Sequence, residues 1–179
     1  MTDEPLRILY LASEVEPFAR TGGLAEVAGA LPRSLRALGH DIRVAMPCYG
    51  HIDAQRWGLQ PLLSDYTVTL GNRQEQASLY QSTLPDSDVP IWFIDNQRLF
   101  GAPELYLGEP DAERFIFWCQ ASLEAARQLD WRPDVIHAND WHAAIVANWL
   151  RTSLRRDMFF RDTALLYTCL LYTSDAADE

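Results

Sequence analysis

The chain has 179 residues, is 48% hydrophobic, and carries 25 acidic against 15 basic side chains, a formal charge of −10. That length suits one domain, and the apolar content suffices for a core without disulfide or metal staples. Such acidity argues against partners held through phosphate backbones or anionic lipid, so neither nucleic acid nor a membrane surface is expected as a partner.

Met1 to Pro5 carries Asp3 and Glu4 without a basic run, so it does not read as a secretory signal. Nowhere does an apolar run approach the ~18 residues of a membrane span. Leu6 to Ala12 is short and apolar, the pattern of a strand buried on both faces of a parallel sheet. Ser13 to Gly23 holds Pro17 and a Gly-Gly pair and is expected as a loop. Leu24, Val27, Ala28, Leu31, Leu35 and Leu38 follow at helical spacing. Pro32 is expected to kink or split that helix, and Gly39 to close it. Ile42 to Met46 reads as a second strand, ended by Pro47 and Gly50. Strand, loop, helix and strand within about fifty residues make a βαβ unit.

Tyr66 to Leu70 and Ala77 to Thr83 alternate in polarity around Gly71-Asn72, which predicts a hairpin inserted between parallel strands. Pro85 to Val89 is a polar turn and Ile91 to Ile94 a strand. Asp95 to Pro110, rich in Gly and Pro, is expected as one long loop. Asp111 is placed as the N-cap of a helix running to about Leu129, with Phe115, Ile116, Cys119, Leu123, Ala126 and Leu129 as its buried stripe. Asp134 to Ala138 is a further strand, Trp141 to Leu150 a helix capped by Asn139 or Asp140, and Leu165 to Tyr167 the start of another strand. Alternating strands and helices predict an α/β, Rossmann-like, doubly wound and mostly parallel sheet.

Three segments leave strands at the edge where open α/β sheets bind ligands. Arg20-Thr21-Gly22-Gly23-Leu24 joins the first strand to the first helix. Its glycines permit close backbone approach, its helix N-terminus favours phosphate, and Arg20 brings a permanent charge. Glu26, one turn inside, is suited to accept hydrogen bonds from sugar hydroxyls. The bland reading is a plain βα turn. In Asp134 to His142, His137 and His142 flank Asp140 and Trp141. His142 is suited to bond a sugar hydroxyl or to present its backbone carbonyl to developing positive charge; a structural histidine is the alternative. Phe93-Ile94-Asp95-Asn96 and the aromatic loop from Phe100 to Tyr106 suit carbohydrate, or else form a loop packed on its own rings.

Other chemistries are excluded. Every basic residue is arginine, so there is no Walker A lysine or Schiff-base lysine. G-x-G-x-x-G, G-x-S-x-G and H-E-x-x-H are all absent, which argues against a dinucleotide oxidoreductase, a serine hydrolase and a zinc site. Cys48, Cys119 and Cys169 are isolated and read as reduced thiols, consistent with an expected cytoplasmic location.

Together the segments resemble the N-terminal part of bacterial glycogen synthases and plant-type starch synthases. The resemblance is collinear from about Leu6 to Thr168 and rests on Ala12 to Phe18, Arg20 to Val27, Gly29 to Pro32, Gly39 to Val44, Phe93 to Asn96, Asp111 to Phe115 and Pro133 to His142. It implies the GT-B fold, two Rossmann-like domains around a cleft, with residues 1–168 as the truncated acceptor-side domain. It implies transfer of glucose from ADP-glucose to the non-reducing end of an α-1,4-glucan such as glycogen, with retention and with no metal or other cofactor. The family's nucleotide-sugar lysine falls on Arg20, beside Thr21, Gly22 and Gly23; the aspartate of the same motif falls on Glu26. His142 is expected at the reacting glucose, catalytic together with Glu26, and Glu14, Asp95, Asn96 and Asp140 as further sugar or acceptor contacts. A related GT-B enzyme with another donor, or a non-catalytic glucan- or nucleotide-binding module, is the alternative.

Residues 169–179 read differently. Leu165 to Thr168 is echoed by Leu170 to Thr173, and the segment resembles the translation of a transposon-end sequencing adapter, so it is expected to be non-native. Without its three acids the charge is 22 against 15, or −7, still acidic. A chain lacking the second domain is expected to be inactive alone. Its open sheet edge and exposed apolar face predict poor solubility.

Overall fold

Apolar strands stack side by side because their backbone groups must pair once buried. The computed structural model describes residues 4–170. In chain order the elements are β1 (Arg7–Leu11), α1 (Gly23–Ala37), β2 (Asp41–Pro47), β3 (Gln60–Leu70), β4 (Arg73–Thr83), β5 (Pro90–Asp95), α2 (Gln97–Phe100), α3 (Asp111–Gln128), β6 (Val135–Asn139), α4 (Asp140–Ala143), α5 (Ile145–Arg151) and β7 (Ala164–Thr168). The strands form one sheet in the order β3-β4-β5-β2-β1-β6-β7. β5, β2, β1, β6 and β7 run parallel, and β4 is antiparallel to both β3 and β5. The interior of the sheet is dry: Leu9, Tyr10, Leu11, Val44, Ala45, Met46, Ile91, Trp92, Phe93, Ile94, Ile136 and Ala138 are all fully buried.

The connections decide where a ligand can bind. From β1 the chain passes through α1 to β2 on one side; from β5 it crosses back through α3 to β6 on the other side of β1. Right-handed crossovers therefore put α1 on one face and α3 on the opposite face, where α3 packs against α4 and α5. This is the doubly wound arrangement, and its switch point lies between β1 and β6. Loops leaving their carboxyl ends diverge and open a crevice there.

Several local expectations are corrected. Pro32 does not split α1, which runs unbroken for 15 residues. The proline forfeits one backbone bond, but its ring is buried with Leu24, Ala25, Ala28 and Gly29 on the packed face. Gly39 does close α1: at φ 95° it donates to Arg36, and His40 donates to Leu35, the Schellman pattern. The hairpin begins six residues early, at Gln60, and extends the sheet edge beyond β5 rather than lying between parallel strands in space. Its turn is Gly71-Asn72, as expected, with Gly71 at φ 60°.

Inside the expected long loop the Asn96 side chain caps α2, accepting from the Leu99 amide at 3.0 Å. Asp111 is the first helical residue of α3, not its cap; its carboxylate turns back to the Leu107 and Gly108 amides. Ile116 is 38% exposed, whereas Phe115, Trp118, Cys119 and Leu123 are buried as core. The helix expected over 141–150 is two helices, α4 and α5, and neither Asn139 nor Asp140 supplies a side-chain cap. Asp140 lies at φ 56°, which begins α4 abruptly after the strand. β7 is an edge strand with Leu166 and Tyr167 exposed, the open apolar edge expected of it. The segment read as non-native lies outside the described residues from position 171 onward.

Gly50 lets the segment after α2 lie on the turn after β2. Its amide donates to the Ala102 carbonyl at 3.0 Å, and an added Cβ would meet the Gly101 carbonyl oxygen at 2.0 Å. Gly50→Ala is therefore expected to cost about 1–3 kcal/mol, the range for overpacking against backbone, read as a lowered urea midpoint. An unchanged midpoint would show that the two segments separate freely.

Candidate functional site

A cleft of about 270 Å³ opens at the switch point. Glu14, Thr21, Gly22, Gly23 and Leu24 line it from the β1–α1 connection, and Asp140, Trp141 and His142 from the start of α4. Tyr106, Gly108 and Asp111 close it from the segment leading into α3. Three carboxylates and no arginine line this cavity.

Glu14 organises the floor. It is 4% exposed, and its carboxylate accepts the Thr21 amide at 2.5 Å, the Thr21 hydroxyl at 2.6 Å, the Gly22 amide at 3.2 Å and the Tyr106 hydroxyl at 2.5 Å. Burial alone would raise its pKa; the four donors outweigh burial and hold it below the usual value. Glu14 is therefore a carboxylate at neutral pH, aimed at the start of α1. Gly22 precedes α1 without a side-chain cap, and a Cβ at Gly22 or Gly23 would meet no protein atom within 4 Å. The glycines keep the cleft wall low and leave first-turn amides for solvent or a ligand.

His142 forms the opposite wall. It is 4% exposed, with its ring stacked on Tyr106 at 5.1 Å, edge-on to Phe115 at 4.6 Å and 4.2 Å from the Trp141 ring. Burial pushes its pKa down to about 4, against the pull of Asp140, Glu14 and Asp111. Neutral at pH 7, it offers one donor and one acceptor nitrogen. Among the described residues Nδ1 is buried with no partner, and so is Asp140 Oδ2; the other Asp140 oxygen accepts the Leu170 amide at 2.6 Å. Both atoms belong to residues that line the cleft. The His142 carbonyl oxygen accepts the Cys119 thiol at 3.3 Å and so packs toward α3; the ring is the group left with free capacity.

The expected residues divide. Glu14, Thr21, Gly22, Gly23, Asp140 and His142 converge on the cleft. Arg20 and Glu26 do not line it: Arg20 pairs with Glu16 at 3.2 Å and with Glu26, and the side chains of both Arg20 and Glu26 are more than half exposed. Asp95 lines a separate cavity with Cys48, Tyr49 and Tyr80, and burial raises its pKa. Asn96 is spent on α2 and on the Gln76 carbonyl. His137 is structural, bonded to the Thr168 hydroxyl at 2.9 Å and edge-on to Tyr10. Sequence reading placed Tyr106 and Trp141 within candidate segments without singling them out, and missed Asp111 as a cleft residue. The aromatic loop was the only signal for Tyr106, and a helix-start aspartate reads as a cap.

Comparison with known proteins gives the family of the chain. Residues 7–169 match the family described as the starch synthase catalytic domain. Glycogen synthase 2 of Geobacter metallireducens is 39% identical over 169 residues, covering 91% of this chain and 34% of that protein. Glycogen synthase of Desulforudis audaxviator is 39% identical over 180 residues, covering 94% and 35%. The chain thus spans about a third of the length of the curated relatives it matches. Among solved structures, the catalytic domain of starch synthase IV from Arabidopsis thaliana, bound to ADP and acarbose, superposes with a TM-score of 0.84 at 26% identity, covering 93% of this chain and 34% of that one.

Proposed function

The chain belongs to the starch synthase catalytic domain family, and we propose that it forms the acceptor-side wall of a retaining GT-B glucosyltransferase. In this reading glucose passes from ADP-glucose to the non-reducing end of an α-1,4-glucan, in the cytoplasm. Residues 1–168 are one domain of two, and residues 169–179 are not native.

The observation that carries the reading is the character of the cleft. It is acidic, walled by Tyr106, Trp141 and His142, and two of its lining residues hold buried polar atoms with no partner among the described residues, His142 Nδ1 and Asp140 Oδ2. A neutral polyol supplies what such a site lacks: hydroxyls that donate to carboxylates and carbon faces that lie on aromatic rings. A diphosphate does not suit three carboxylates. The cleft therefore seats a glucosyl ring, and the diphosphate lies toward the α1 N-terminus and the second domain. Neutral His142 and the Asp140 carboxylate hold ring hydroxyls, and the Glu14 carboxylate, its acceptor sites filled by four protein donors, adds a fixed charge beside them. The same fixed negative charge stabilises oxocarbenium-like positive charge as the glycosidic bond loosens. Arg20, paired with Glu16 and Glu26 at the surface, keeps N–H donors for a donor phosphate.

Titration calorimetry of the chain with acarbose and with maltotriose tests the sugar site. Saturable binding is expected, with Asp140→Asn weakening it about tenfold, the size of one charge-assisted hydrogen bond. Absence of binding to both sugars, or equal affinity in the variant, would count against the reading.

A further inference from the structure

One buried ion pair fastens the backbone on both sides of Tyr106. Arg114 is 1% exposed; its Nε donates to the Leu99 carbonyl at 2.7 Å, and its Nη1 to the Leu105 carbonyl at 2.9 Å and Asp111 Oδ1 at 2.5 Å. The Asp111 carboxylate accepts the Leu107 amide at 2.9 Å and the Gly108 amide at 3.0 Å. Residues 105, 107 and 108 are thus all held by this pair. Tyr106, between them, lays its ring near Phe115 and His142 and donates its hydroxyl to Glu14.

Replacing a buried ion pair with apolar side chains of similar volume often costs nothing, so core stability alone gives no reason to keep one here. The particular work of this pair is geometric: an arginine fork and a carboxylate together hold carbonyls and amides that no apolar side chain can hold. We propose that Asp111 and Arg114 are positioning residues for Glu14, acting through Tyr106. Their function is to aim the Tyr106 hydroxyl at the Glu14 carboxylate, and so to hold Glu14 beside the cleft as a fixed, ionised charge whose acceptor sites are filled by the protein. The functional consequence rests on the glucan reading; the placement of Glu14 does not.

The test is a carboxyl ¹³C NMR titration of Glu14 in the chain, with the resonance assigned by Glu14→Gln. His142 and Tyr49 also face this carboxylate electrostatically and stay unchanged in every variant. Tyr106→Phe is expected to raise the Glu14 midpoint by roughly half a pH unit or more, the size of one lost hydrogen bond. Arg114→Lys keeps the charge but loses the fork. It is expected to raise the midpoint as well, and to add nothing when combined with Tyr106→Phe. If Arg114→Lys does not fold, Asp111→Asn decides. Loss of that negative charge alone would lower the Glu14 midpoint, so a rise reports lost positioning. A midpoint unmoved in the folded variant, or a shift that persists in the Tyr106→Phe background, overturns the proposal. No ligand enters the titration, so its outcome is separate from that of sugar binding.

Discussion

Acidification from about pH 6.5 to about pH 4 is expected to destabilise the chain by on the order of 3 kcal/mol through His142 alone, and His142→Phe should remove that component. Burial lowers the folded-state pKa of His142 from 6.5 to about 4. Each factor of ten in proton affinity corresponds to about 1.4 kcal/mol. Above pH 6.5 the ring is neutral whether folded or not, and the contribution is fully present. Between the two values the unfolded chain binds a proton that the folded chain refuses, so stability falls as pH falls. His137, also held low by burial, acts in the same direction. Urea denaturation of parent and variant at pH 7 and pH 4.5 gives the difference; parallel losses in the two proteins would refute the assignment. The variant is also expected to lose sugar binding, because it deletes Nδ1. It should not lose stability at pH 7, because the deleted nitrogen has no partner in the fold.

Asp111→Ala is expected to be the costliest single change in the cleft wall, at about 3–5 kcal/mol, because it strands a buried guanidinium. Arg114 would keep its bonds to the Leu99 and Leu105 carbonyls but lose its one carboxylate partner among the described residues, and the Leu107 and Gly108 amides would lose their acceptor. Asp111→Asn should cost less than half as much, since its amide oxygen still accepts one of those hydrogens. Urea midpoints of both variants decide the matter. A cost for Asp111→Ala below 1 kcal/mol, on the order of an exposed pair, would mean that water reaches Arg114.

The strands were legible in the sequence because burial on both faces leaves a mark that survives without context. Leu6 to Ala12, Ile42 to Met46, Ile91 to Ile94 and Asp134 to Ala138 are short apolar runs bounded by turn residues, and each is a strand. Gly39 and Gly71 were legible because only a left-handed backbone closes those turns cheaply. Pro32 misled because propensity counts the lost bond and not the buried ring. Asp111 misled because an aspartate at a helix start reads as a cap, whereas its true partners, Arg114 and the Leu107 and Gly108 amides, depend on the path of an irregular loop. The continuous helix expected over 141–150 failed at Ala144, between two short helices packed against α3.

The cleft divides along the same line. Thr21-Gly22-Gly23 and His142 could be nominated from the sequence because each follows a strand at the edge where an α/β sheet binds ligands. Arg20 and Glu26 were nominated from the same strand-end loop and the family motif, and the fold pairs them with each other outside the lining. Asp95 and Asn96 leave β5, two strands from the switch point, so the sheet order carries them away from His142.

By itself, then, the sequence determined the α/β class, the two strand-end loops that meet at the switch point and the family, all of which follow from local pattern and ordered motifs. Only the tertiary structure decided which polar side chains share a cavity, that Tyr106 joins Glu14 to His142, and that Asp111 and Arg114 hold Tyr106 in place. Those contacts join residues about 90 and 130 positions apart, and they exist only because β6 returns beside β1. A pairing across that distance is set by chain crossing and packing, and leaves no trace in the periodicity of either segment.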